Sequence, residues 1–141
     1  MGRVRLRVAA WRFARRWAGE YLVQNGRFGV NESGAQCVNV LNTFWERLGA
    51  PNISGDASAF IAAHVPGLVF HWSNSGGRPQ AGDGLVMRPG GMYPRGHVAL
   101  VLNGVGPDVV VLEQNEPLGA PCERGRLPRA QAVGWVRIAH H

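Results

Sequence analysis

Cys37, His97 and Glu113 are the residues of this 141-residue chain whose types and spacing could perform nucleophilic catalysis. Cys37 lies where a glycine-containing loop gives way to a helical apolar pattern. The unpaired N–H groups at the start of a helix favour a thiolate over a thiol, so a cysteine at this place is predicted to be reactive. His97 begins one strand-like run and Glu113 ends the next. A nucleophile, a base and a group to orient the base are therefore available in that order.

Helical patterns in the N-terminal half define the first elements that must position these residues. Apolar residues at spacings of three and four predict an amphipathic helix from Leu6 to about Val23 and a second from about Gln36 to Leu48. A short third helix is predicted from Asp56 to about Ala63, because Asp56 can cap its start. Residues 24–35 contain three glycines and are predicted to be a loop.

Short apolar runs in the C-terminal half predict five strands, at residues 68–72, 84–87, 97–102, 109–112 and 133–138. Residues 104–108 are predicted to form a hairpin loop, which makes the third and fourth strands antiparallel neighbours. Glu113 would then lie near the end of the sheet where His97 begins its strand. Helices followed by strands predict an α+β fold with an antiparallel sheet. With no internal repeat and no linker, we expect residues 1–141 to form a single domain.

Five sequence blocks resemble those of the CHAP family, the cysteine- and histidine-dependent amidohydrolases and peptidases of phage lysins and bacterial wall hydrolases. The block GAQCVNVLNTFWERLG is similar to the family's cysteine block, and RGHVALVL is similar to its histidine block. RPQAGDGLVM resembles the Pro-x-x-Gly-Asp strand entry, VVVLEQN the acidic block and VGWVRI the closing Gly-Trp strand. The blocks follow the family's order over about residues 34–138.

The resemblance implies a papain-like fold and a role for each residue that matches the family's motifs. Cys37 would be the nucleophile, His97 the general base and Glu113 the residue that orients His97. Asn115 corresponds to a polar residue that assists the site, and whether it or Glu113 is the main orienting group stays open. Gln36 or the Cys37 backbone N–H would line the oxyanion hole. The resemblance implies cleavage of peptidoglycan, as an N-acetylmuramoyl-L-alanine amidase or as an endopeptidase of the stem or cross-bridge peptide.

The sequence predicts neither a metal nor another cofactor. Several relatives carry an aspartate-rich calcium loop before the cysteine, whereas residues 25–33 here contain one acidic residue and no aspartate. His64 and His71 have no cysteine or histidine partners at zinc spacing. Asp83, between two glycines, is predicted to hold a turn at a strand start. Asn39 stands where the family often has an aspartate, and the sequence does not explain that change.

Two exposed-aromatic candidates and one basic face are predicted to contact ligands. Trp72 and Tyr93 could stack on sugar or peptide groups beside the cleft. The net charge of +6 favours a polyanionic partner. Arg12, Arg15 and Arg16 share one face of the first predicted helix, opposite its apolar side, and are expected to bind an anionic cell envelope.

Two other functional classes remain compatible with the sequence. One is a basic envelope- or nucleic-acid-binding module with an incidental cysteine; no nucleic-acid motif is present, so we expect no nucleic acid partner. The other is a papain-like amidase that acts on a substrate outside the cell wall. For the peptidoglycan hydrolase that the resemblance implies, a monomer is expected.

The N-terminus and the cysteine count favour a protein without a secretory signal. Arginines interrupt the apolar stretch that a signal would need, at Arg12, Arg15 and Arg16. Cys37 and Cys122 are the two cysteines, and we expect both to be free thiols. A lysin of this kind is expected in the host cytoplasm before its release to the cell wall, or carried in a virion. The sequence leaves phage or bacterial origin open.

Overall fold

The computed structural model describes residues 2–23, 36–91, 93–116 and 118–139, and places two helices before a sheet. Helix α1 spans Arg3–Trp17 and helix α2 spans Cys37–Arg47. Short 3-10 helices occur at Ala57–Phe60, Ser73–Ser75 and Arg129–Gln131. The predicted loop at residues 24–35 and the calcium-loop comparison at residues 25–33 lie outside the described residues.

Six antiparallel strands form one sheet. They are β1 (Leu68–Trp72), β2 (Gly84–Met87), β3 (His97–Asn103), β4 (Asp108–Glu113), β5 (Glu123–Pro128) and β6 (Ala132–Ile138). Their order across the sheet is β1-β6-β2-β3-β4-β5, and each neighbouring pair is antiparallel. The predicted α+β class and the β3–β4 hairpin are confirmed. The five predicted strands agree with the structure to within one residue at each end.

Helix α2 packs against the sheet through a continuous apolar face. Its buried side chains include Leu41, Phe44 and Trp45, and burial of a large apolar side chain contributes about 1.5–3 kcal/mol. Gly84 on β2 permits the close approach, because a Cβ there would lie 2.7 Å from Leu41 Cδ1. The amide of Asn42 adds two hydrogen bonds, from Nδ2 to the carbonyl of Ile53 and from the Ile53 N–H to Oδ1. These contacts hold the middle of α2 against the sheet and against the segment that contains Ile53.

Helix α1 begins at Arg3, three residues before the predicted start at Leu6, and ends at Trp17, six residues before the predicted end at Val23. Gly19 has a φ of 83°, a left-handed conformation that turns the chain away from the helix axis. The extended segment that follows pairs with the start of β5 instead. The Gly19 N–H donates to the carbonyl of Cys122, and the Cys122 N–H donates to the carbonyl of Glu20. These long-range bonds replace the helical bonds that the periodicity predicts.

Two other differences separate the observed elements from the predicted ones. The predicted third helix is a single 3-10 turn, Ala57–Phe60, although Asp56 caps it as expected by accepting from the Ser58 N–H at 3.0 Å. Strand β5 was not predicted, because it is an edge strand rich in charged residues in which only Leu127 is buried. Among the described residues no helix is long and apolar enough to cross a membrane.

Candidate active site

Cys37 is the first residue of α2, and Gln36 is the extended residue that caps it. Cys37 is half-buried and is not part of a disulfide. The N–H groups of the first helical turn give the thiol a local positive field, as the sequence predicts. A nucleophile here can be approached from solvent while the rest of α2 stays packed in the core.

His97 and Glu113 face each other from neighbouring strands. Leu100 of β3 pairs with Leu112 of β4, so the end of β4 lies beside the start of β3. His97 Nε2 lies 2.7 Å from Glu113 Oε1, and both side chains are buried. A charge-assisted hydrogen bond of this length fixes the orientation of the imidazole ring and its tautomer.

The surroundings of His97 favour its protonated form. Burial lowers its pKa, but hydrogen bonds and charges from Cys37 and Glu113 outweigh burial and raise the pKa to about 9. Because Nε2 is engaged by Glu113, Nδ1 is the ring nitrogen that remains for the Cys37 thiol. This arrangement can accept the thiol proton and hold an imidazolium beside a thiolate, which is the activation that a cysteine nucleophile needs.

Tyr93 supports the imidazole from one side. Its ring stacks on His97 with a centroid separation of 5.1 Å and an interplanar angle of 14°. Burial raises the pKa of Tyr93, and the carboxylates of Glu116 and Glu113 raise it further, so the phenol stays neutral at physiological pH. Tyr93 is 7% exposed, because its ring also packs with the apolar cluster that includes Met87 and Ala99, so little of it is open to solvent.

The other predicted site residues occupy different surroundings. Asn115 has a φ of 65°, and its Oδ1 accepts from the Gly119 N–H at 2.6 Å, so its side chain closes a turn. Trp72 is 48% exposed on β1, beside Phe70. Two strands separate β1 from β3, a distance of roughly 14 Å at about 4.8 Å per strand, so the structure does not bring Trp72 to His97.

Two residues that the sequence analysis did not single out lie directly against this group. A Cβ on Gly125 of β5 would lie 2.2 Å from Glu113 Oε2, so the glycine leaves room for the carboxylate. Gln114 is fully buried and hydrogen-bonds to the backbone of Leu22 and Gln36. Its place directly after Glu113 in the acidic block is the one sequence signal for Gln114, whereas Gly125 has none because it lies on β5, which the sequence does not predict.

Asp83 has a structural role, as the sequence suggests. Its carboxylate accepts from the Gln80 N–H at 2.7 Å and from Arg137 Nη2 at 2.8 Å. Burial raises the pKa of Asp83, although the hydrogen bonds and charge of Arg137 act in the opposite direction. Asn39 donates from Nδ2 to the carbonyl of Leu22 at 3.0 Å, which an ionised aspartate could not do. Among the described residues no cluster of three or more His, Cys, Asp or Glu could hold a metal ion.

A family model for the CHAP domain matches residues 7–115, which include Cys37, His97 and Glu113. The chain belongs to the CHAP domain family. This confirms the resemblance carried by the cysteine, histidine and acidic blocks. No curated protein matches this CHAP domain by sequence.

Solved structures share the fold of this CHAP domain. The wild-type endolysin LysIME-EF1 is 19% identical with a TM-score of 0.73, and the alignment covers 94% of this chain and 63% of that chain. Ly7917 is 20% identical with a TM-score of 0.67, covering 94% and 62% respectively. The same protein with the hydrolyzing product of MDP gives a TM-score of 0.62 at 20% identity, over 94% of this chain and 62% of that one.

A fourth structure is described as similar to a lipoprotein of the NLP/P60 family from Staphylococcus aureus subsp. aureus Mu50. It is 16% identical with a TM-score of 0.56, over 97% of this CHAP domain and 42% of that chain. The predicted papain-like fold is confirmed by these likenesses. This CHAP domain spans about three fifths of the length of the LysIME-EF1 and Ly7917 chains.

Proposed function

We propose that this CHAP domain is a peptidoglycan hydrolase that cleaves an amide bond by cysteine nucleophilic catalysis, as part of a phage lysin. The observation that carries the proposal is the placement of Cys37, His97 and Glu113. His97 bonds to Glu113 at 2.7 Å and interacts with the Cys37 thiol through its side chain. Membership of the CHAP family and the shared fold with endolysins support the same substrate class.

The geometry supports a two-step reaction through an acyl-enzyme. The proton of the Cys37 thiol passes to His97, and the sulfur attacks the scissile carbonyl carbon. The oxyanion that forms is stabilised by the Cys37 backbone N–H and by groups of Gln36 at the helix start. When the carbon–nitrogen bond breaks, His97 protonates the leaving amine. Water then attacks the thioester with His97 as base, which releases the carboxylic acid and restores the thiol.

The bond that is cut defines the finer activity. Both an N-acetylmuramoyl-L-alanine amidase and an endopeptidase of the stem or cross-bridge peptide fit this mechanism. The related Ly7917 structure that contains the hydrolyzing product of MDP supports a wall-derived ligand for the same fold. Purified peptidoglycan should be digested and the new termini identified by mass spectrometry. A new amino group on L-alanine indicates the amidase, and one within the stem or cross-bridge indicates the endopeptidase.

The same digestion separates the proposal from its two rivals. New amino groups without new reducing sugars would establish amide cleavage in the wall. Binding to peptidoglycan with no new termini, in a preparation whose Cys37 is reduced, would favour the envelope-binding module. Hydrolysis of small soluble amides with an intact wall would favour a papain-like amidase of another substrate.

We further propose that the arginine-rich side of α1 holds the enzyme on an anionic envelope. Arg12, Arg15 and Arg16 are exposed on α1. The basic surface continues onto the neighbouring strand β5, where Arg124 is exposed and lies over the ring of Trp11 at 5.9 Å. Polyanion attachment through exposed charges is screened over about 8 Å at physiological ionic strength, so the binding should weaken steeply with salt.

A triple glutamine variant tests this attachment. Replacement of Arg12, Arg15 and Arg16 should reduce cosedimentation with cell walls and the salt dependence of that binding. Hydrolysis of a small soluble muropeptide should stay near wild type. A control with the same charge change elsewhere replaces arginines at 78, 88 and 129 with glutamine. Equal loss in both variants, or no loss in either, would leave α1 without a specific binding role.

A lysin of this class would act as a monomer, from the host cytoplasm after release to the wall or from a virion. The proposal has a direct test in infected cultures. Fractionation with an antibody to the chain should find it either in the cytoplasm until lysis or in purified particles. Detection only as a stable dimer, or only in a membrane fraction, would contradict it.

A further inference from the structure

The side chain of Gln114 joins three separate parts of the chain. Its Oε1 accepts from the Leu22 N–H at 2.7 Å, and its Nε2 donates to the Leu22 carbonyl at 3.0 Å and to the Gln36 carbonyl at 2.8 Å. The buried thiol of Cys122 also donates to Oε1, at 3.4 Å. The amide is fully buried, and both of its N–H groups and its oxygen are used.

These bonds connect the His97–Glu113 pair to the helix start that carries Cys37. Gln114 follows Glu113, whose carboxylate holds His97, and its own amide holds the carbonyl of Gln36, which precedes Cys37. The same amide holds the backbone of Leu22, so Leu22 and Gln36 are both bonded to the residue that follows β4. An error of about 1 Å in the placement of a nucleophile is costly to catalysis.

We propose that Gln114 is a positioning residue that sets the start of α2, and with it the Cys37 thiol, relative to the His97–Glu113 pair. This inference rests on the proposed cysteine mechanism but not on the identity of the substrate. Glu113 fixes the imidazole and Gln114 fixes the nucleophile, so consecutive residues of one strand end define both partners of the proton transfer. Loss of the amide removes one hydrogen bond from each of the Leu22 and Gln36 carbonyls, which keep their bonds from Asn39, and removes the bond that the Leu22 N–H donates to Gln114. The helix start is then held to the end of β4 by fewer bonds and is expected to loosen.

Gln114→Met is the direct test, because methionine has a similar shape and cannot form these hydrogen bonds. The readout is alkylation of Cys37 by iodoacetamide as a function of pH, followed by mass spectrometry of the peptide that contains Cys37. No wall substrate is involved, so failure of the proposed substrate would not affect the result. In the variant the rate at pH 6 should fall at least about tenfold, because a displaced sulfur no longer lies beside the imidazole that takes its proton.

Asn42 provides a matched control. It is also a fully buried amide, and it forms the same pair of bonds with a backbone, to the N–H and the carbonyl of Ile53. Asn42→Leu should lower the melting temperature but leave Cys37 alkylation within about twofold of wild type, since it has no bond to the helix start. A merely structural role for Gln114 predicts the same behaviour in both variants.

Two results would overturn the proposal. One is a folded Gln114→Met protein that alkylates at the wild-type rate and with the wild-type pH dependence. The other is an equal loss of alkylation in Asn42→Leu. If Gln114→Met does not fold, Gln114→Asn keeps the amide but shortens its reach by one methylene. That variant should show the same shift in the pH dependence at smaller size, and an unshifted profile would again contradict the proposal.

Discussion

Cys37 and Cys122 carry the same thiol in opposite surroundings. Cys37 begins a helix, is half-buried and interacts with a histidine whose pKa is raised to about 9. Cys122 is fully buried, and burial raises the pKa of its thiol to about 11 despite backbone hydrogen bonds that lower it. The comparison teaches that reactivity here depends on what surrounds the sulfur, since a buried thiol without a cationic partner stays protonated.

The largest expected effect is the difference in activity between the variants that lack one thiol or the other. Cys37→Ala should abolish wall hydrolysis and leave folding intact, because it removes the group that forms the acyl-enzyme. Cys122→Ala should keep activity near wild type and lower stability modestly, by about 1–2 kcal/mol for a small buried side chain with one weak hydrogen bond. Release of soluble muropeptides and circular dichroism check both. Activity in Cys37→Ala would break the comparison at once.

The second expected effect concerns His97, which interacts with Cys37. Glu113→Gln should lower kcat by about a hundredfold or more, the scale seen when a catalytic histidine loses its carboxylate. Because Glu113 raises the pKa of His97, the alkaline limb of kcat/KM should also move to lower pH. Asn115→Ala should cost less, since that side chain closes a turn with Gly119. A larger loss in Asn115→Ala would make Asn115 the main orienting residue.

The positions of Cys37, His97 and Glu113 on their helix and strands could be predicted from the sequence, because local patterns determine them. A helix start at Cys37, a strand start at His97 and a hairpin that returns to Glu113 follow from periodicity and turn residues. The helix end at Trp17 could not be predicted, since bonds between Gly19, Glu20 and the distant Cys122 replace the helical ones. The role of Gln114 likewise depends on partners 78 and 92 residues away, which no local pattern encodes.

The third expected effect is a pH dependence of stability that belongs to the Cys37 region. His97 has a folded pKa of about 9 against an ordinary value of 6.5, so its contribution is fully present below pH 6.5 and is lost as the pH rises towards 9. The free energy of unfolding in urea should fall by roughly 1–3 kcal/mol over that range, given about 1.4 kcal/mol per unit of pKa difference.

Cys37→Ala and Glu113→Gln should each flatten that decline, because both residues raise the pKa of His97. Cys122→Ala provides the control between pH 6.5 and pH 8, since a thiol whose pKa rises from an ordinary value of 9.0 to about 11 on folding contributes to the slope only as the pH approaches 9. If the free energy of unfolding declines with pH at the same slope in the wild type and in all three variants, the titration of His97 does not cause the pH dependence.

The smallest expected effect lies at Gly125, on the strand that begins just after Cys122 and reaches the proposed site. A methyl group there would lie 2.2 Å from Glu113 Oε2 and must displace the carboxylate from His97. Gly125→Ala should therefore lower kcat by about tenfold, with KM little changed, since a displaced carboxylate orients the ring less well. In a Glu113→Gln background the same substitution should cost much less, because its target is already impaired. Full additivity of the two substitutions would mean that Gly125→Ala acts by distorting β5 rather than by displacing Glu113. The space beside the carboxylate would then not be needed to orient His97.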